Sequence, residues 1–90
     1  MNFYSRAEDE TILHYIVNKQ AYNRVGGTKL WRKMEMVLML GGAHTWRSMR
    51  NRFHRILIEA IEERVETYNL TEEQIFLFIN RGENEDGGEE

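Results

Sequence analysis

The 90-residue chain is 41% hydrophobic and 30% charged, with no proline and no cysteine, the composition of one small, helix-permissive globular domain. The missing cysteines exclude a disulfide scaffold and thiolate zinc sites, and no apolar run approaches the ~20 residues that span a bilayer. The net charge of −3 hides a division: residues 1–58 carry ten Lys and Arg against four acids, net +6, and residues 59–90 carry two against eleven, net −9. No secretory signal pattern is visible, so an intracellular protein is expected.

The first predicted helix opens with a capping box, Ser5 accepting from the amide of Glu8 and Glu8 reaching back to the amide of Ser5. Glu8, Asp9 and Glu10 complement the positive end of its dipole. Its apolar face is Ile12, Leu13, Ile16 and Gln20, flanked by Tyr15 and Val17. Residues 23–27 are loop chemistry closing on Gly26-Gly27. Thr28 then caps a second helix running towards Leu40, with Leu30, Trp31, Met34, Val37 and Leu38 as its core stripe. Met36, Met39 and Leu40 lie off that stripe. Gly41-Gly42 ends the helix, and Thr45 caps a third after a tight connection.

On the third helix Trp46, Met49, Phe53, Leu57 and Ala60 gather on one side at 100° per residue. Arg47, Ser48, Asn51 and Arg55 take the other, with Arg52 and His54 at its flanks. The helical pattern continues through Ile61, Val65 and Tyr68 until Asn69. Thr71-x-x-Gln74 is a second capping box, opening a fourth helix over about residues 72–80 that contains Ile75-Phe76-Leu77-Phe78-Ile79. The reading is therefore a helical domain over residues 1–80 and an acidic disordered tail or linker over 81–90.

Three helices, the last two joined tightly and the third basic, make a helix-turn-helix candidate. The stretches Tyr4-Ser5-x-Ala7-Glu8-Asp9, Ile12-Leu13-x-Tyr15-Ile16, Leu30-Trp31-x-x-Met34-Glu35 and His44-Thr45-Trp46-x-Ser48-Met49-x-x-Arg52-Phe53 resemble a Myb-type domain. Within that superfamily they are most similar to the Myb domain of the telomeric repressor-activator (Rap) subunit of shelterin. Nematode double-strand telomere-binding proteins are the next relatives. The resemblance covers about residues 4–57. It implies an all-α, three-helix Myb/homeodomain-like bundle, here with a prolonged third helix and a short fourth as extension. It also implies one bulky aromatic per helix in a shared core (Tyr4, Trp31, Trp46), and a nuclear protein at chromosome ends.

Two functions follow for such a domain. In the first, helix three enters the major groove of duplex DNA, with Arg47, Ser48, Asn51, Arg52 and Arg55 as contacts. Lys29, Arg32, Lys33 and Arg50 would then join Arg52 on phosphates. Against it, Glu59, Glu62 and Glu66 prolong the same face as a carboxylate stripe, Glu59 within pairing reach of Arg55. In the second, preferred reading the domain associates with itself, or with a related Myb-like domain, through surplus apolar surface: Met36, Met39, Leu40, Ile58, Ile75, Phe76 and Phe78. Telomeric DNA would then be held by other domains of a longer protein. His14, His44 and His54 lack metal-ligand spacing, and no phosphate-binding glycine loop is present. No catalysis, cofactor, metal or membrane partner is expected.

Overall fold

The computed structural model describes residues 3–38 and 44–82, and among them every regular element is helical. Helix α1 spans Arg6–Lys19 and α2 spans Lys29–Leu38. Helix α3 (Trp46–Arg52) runs through a π-helical turn (Phe53–Leu57) into α4 (Ile58–Glu62), one continuous rod. Helix α5 (Glu72–Ile79) closes the domain. The expected Met39, Leu40, Gly41-Gly42 and acidic-tail features lie outside the described residues, save the tail's first two positions.

Local sequence sets most helix starts. Both capping boxes form: Ser5 Oγ accepts from the Glu8 amide, and Thr71 Oγ1 accepts from that of Gln74. Thr45 caps α3 by accepting from the Ser48 amide. Helix ends are less legible. Gln20 takes a left-handed conformation (φ 50°), its amide donating to Val17 and the Ala21 amide to Ile16. That pair of bonds is a Schellman end. Gln20 is thus an exposed cap rather than part of the apolar face, a correction to the periodicity. Arg64 (φ 59°) repeats the motif, its amide donating to Ile61 and the Val65 amide to Ala60. The third helix therefore stops at Glu62, seven residues before Asn69.

The π turn shifts the register of the rod. The Ile58 amide donates to the Phe53 carbonyl, an i→i−5 bond that inserts one residue into the helical repeat. After it every side chain occupies the angular position of its predecessor. Leu57, Ile58 and Ile61 face inward (0%, 6% and 0% exposed), Ile56 turns outward (45%), and Ala60 is only half-buried. Ile58 is consequently core and not interface.

One core joins all the helices. Trp31 is fully buried, donates its indole N–H to the Val25 carbonyl at 3.0 Å, and tilts against Phe53 at 5.6 Å between ring centroids. Phe53 meets Phe78 of α5 at 5.9 Å. Burying a side chain of this size contributes about 1.5–3 kcal/mol. Ile75 and Phe78 are buried, so these two expected interface residues instead fasten α5 to the bundle. The expected aromatic trio is not a stack: Trp31 is central, while Tyr4 and Trp46 sit part-buried at the margin. Helix α2 buries Leu30, Trp31 and Met34, but Val37, expected in its stripe, is 50% exposed.

Candidate partner and nucleic-acid interface

Helix α3 is held against α1 and α2 by polar contacts that use several of the groups assigned to DNA. Asp9, on the first turn of α1, is almost fully buried, and Arg52 meets it with both arms, Nε to Oδ1 at 3.1 Å and Nη2 to Oδ2 at 2.8 Å. A bidentate pair of this kind fixes geometry as well as charge. The Asp9 hydrogen bonds push the Arg52 guanidinium above its ordinary pKa. Its carbon also lies 5.2 Å from the Tyr4 ring centroid. Tyr4 Oη and Ser48 Oγ are 2.6 Å apart, and the Tyr4 ring stacks on His44 at 3.7 Å. His44, itself buried, hydrogen-bonds the Glu8 carboxylate at 3.1 Å. Burial raises the Tyr4 pKa, and the Ser5 amide, aided by His44, lowers that of Glu8.

Arg50 donates to the carbonyls of Gly27 and Gly26, at 2.9 and 2.6 Å, tying α3 to the loop before α2. The Trp46 amide donates to Glu35 at 3.2 Å, anchoring α3 to α2. Arg52, Arg50 and Ser48 are thus internal fastenings. Their expected base or phosphate contacts are replaced by structural ones, because partners far away in sequence lie within reach.

Three of the predicted base readers remain outward: Arg47, Asn51 and Arg55 are exposed. Arg47 and Arg32 both lie over the Trp46 ring, 5.1 and 5.4 Å from its centroid. Thr28, Trp46, Arg47, Arg50 and Asn51 border a hollow of about 260 Å³. A second hollow, about 250 Å³, is lined by Tyr15, Lys19, Arg24, Lys29, Leu30 and Lys33, with no acid among them. Lys19 and Arg24 were not picked out in the sequence, because only the turn after α1 brings them beside α2.

The acidic extension does not form the expected stripe. Glu66 lies beyond the helix end and folds back onto the base of α1, accepting from Arg6 at 3.1 Å and from the amides of Thr67 and Tyr68. The Tyr68 amide, foremost, holds its pKa below the ordinary carboxylate value. Glu62 approaches Arg81 at 3.9 Å, and Glu72 pairs with Arg64 at 2.9 Å. Arg55 and Glu59 do not pair.

The proposed apolar interface is redistributed as well. Met36 (69%) and Phe76 (61%) are exposed as expected, whereas Ile58, Ile75 and Phe78 are core. Sequence reasoning missed a shallow groove of about 200 Å³ lined by Arg55, Ile56, Glu59, Ala60, Glu63 and Val65. It exists because the π turn expels Ile56 and the Schellman end returns Val65 to Ala60. A left-handed end without glycine leaves no sequence signal. Among the described residues no three His, Cys, Asp or Glu side chains could hold a metal, and no helix is long and apolar enough to cross a membrane.

These features define a helix-turn-helix bundle in which an acidic α1 locks a basic α3 against α2. The Rap1 Myb domain family matches residues 4–64, from Tyr4 to the Schellman residue Arg64, and the chain belongs to that family. Neither the curated proteins nor the solved structures contain a match to the chain. The matched segment ends where the rod ends, so α5 is an addition to the family unit.

Proposed function

We propose that this domain is a non-catalytic association module of a nuclear Rap1-type protein acting at chromosome ends, and that it pairs with a second copy of itself. A related Myb-like domain is the other partner this reading admits. The observation that carries it is the surface left after the core is filled. Eight large apolar side chains stay exposed: Phe3, Met36, Val37, Ile56, Val65, Phe76, Leu77 and Ile79. Of these, Ile56 and Val65 line one groove, and apolar side chains gathered in this way mark interfaces where single scattered ones do not. Telomeric duplex is then held by other domains of the same protein.

A second reading has its own support in Arg47, Asn51 and Arg55, which are exposed along α3 and the π turn after it, as a major-groove reader requires, and in the acid-free hollow lined by Lys19, Arg24, Lys29 and Lys33. Static light scattering at high micromolar concentration, together with titration of telomeric and scrambled duplexes at two salt concentrations, separates the two. Association predicts a mass above 10.8 kDa and equal, weak, salt-sensitive binding to both duplexes. A monomer that prefers the telomeric duplex and loses that preference on Asn51→Ala would establish the second reading instead.

A further inference from the structure

The outer surface of the α3–α4 rod is polar in the electrical sense. Its first half presents Arg47 and Arg55, and its end presents Glu59, Glu62 and Glu63. Between them lies an apolar strip, with Ile56 45% and Val65 77% exposed and Ala60 half-buried beneath them. Ile56, Ala60 and Val65 share one groove with Arg55, Glu59 and Glu63, Arg55 nearest the start of the rod and the two glutamates towards its end. Among the described residues Arg55, Glu59 and Glu63 form no ion pair or hydrogen bond through their side chains, whereas Glu62, Glu66 and Glu72 meet arginines and Glu73 lies apart on α5. Three unpaired charges thus frame an uncovered apolar strip.

We infer that this groove is the pairing surface for a second copy of the chain, the two rods crossing antiparallel about a two-fold axis beside Ile56 and Ala60. This rests on the association reading and adds the face and the geometry. An isologous contact brings each surface against its own copy in reverse order. The Arg55 end of each rod then meets the Glu59–Glu63 end of the other, twice, with the Ile56–Ala60–Val65 strips in contact between them. A parallel crossing sets arginine against arginine and glutamate against glutamate, and the charges oppose it. Apolar centre and charged rim follow the usual anatomy of an interface. A standard interface covers about 800 Å² per partner, so the groove is the middle of the contact and its flanks complete it.

The test is an exchange of charges. Arg55→Glu and the double variant Glu59→Arg/Glu63→Arg are prepared separately, checked for wild-type helicity by circular dichroism, and sized alone and as an equimolar mixture. Each variant alone is expected to dissociate at least tenfold more readily than wild type, and the mixture to recover dimers containing one of each. A wild-type dimer that either variant leaves intact, or a mixture that stays monomeric, overturns the inference while association through another face stands. A monomeric wild type overturns both.

Discussion

At the residue scale, the Arg52–Asp9 pair joins positions 43 apart and decides what α3 can offer a ligand. Removing one partner of a buried pair leaves the other charge uncompensated. Arg52→Ala is accordingly expected to lower unfolding stability in urea by about 3 kcal/mol. The double variant Asp9→Asn/Arg52→Gln should recover part of that loss, and equal losses in both would point to packing alone. Glu8 gives a pH signature. Its folded pKa is depressed, chiefly by the Ser5 amide and then by His44, so its stabilisation is complete above the unfolded carboxyl value and fades as pH falls through the lower folded one. Glu66 acts in the same direction, through the Tyr68 amide and Arg6. Thermal melts should therefore fall in midpoint below about pH 4.5, with a shallower slope for Glu8→Gln. A melt independent of pH from 7 to 3 would contradict this assignment.

At the element scale, the left-handed helix ends are places where the chain carries avoidable strain. Glycine has no Cβ to clash at φ 50°, so Gln20→Gly should raise the melting temperature, by the equivalent of about 1 kcal/mol. A lower midpoint would contradict the Schellman assignment. These ends also mark the limit of what the sequence discloses. Ser5, Thr45 and Thr71 announce helix starts because a capping bond reaches only three residues, and all three caps form. Gln20 and Arg64 announce nothing, since neither is the glycine that such a turn favours. The π turn is equally silent, because it arises where Ile58 and Ile61 reach a core that α5 helps to build. Hence a regular 100° repeat puts Ala60 in the core stripe and leaves Ile58 off it, whereas Ile58 is buried and Ala60 only half-buried at the core's margin. Arg47, Asn51 and Arg55 were legible as exposed because they precede or begin the shift. Arg50, Arg52 and Ser48 were not, their partners being loop carbonyls and side chains distant in sequence.

At the scale of the whole molecule, the family unit and the folding unit differ. The match stops at Arg64, yet Ile75 and Phe78 are buried against the core and Phe78 meets Phe53. Phe78→Ala should cost about 3–5 kcal/mol in chemical denaturation, as for other large core truncations. A change below about 1 kcal/mol would mean that residues 4–64 are stable without α5. The division of charge with which the sequence opens also resolves at this scale. Part of the acidic half is neutralised within the fold by Arg6, Arg64 and Arg81. Among the described acids left unpaired, Glu59 and Glu63 line the same groove as Arg55, and a second copy brings the opposite signs together. Sedimentation equilibrium of the full chain from low micromolar to several hundred micromolar reads this directly. The weight-average mass is predicted to climb from 10.8 kDa towards twice that value, with the climb suppressed by Arg55→Glu. A mass fixed at 10.8 kDa across the whole range would contradict self-association.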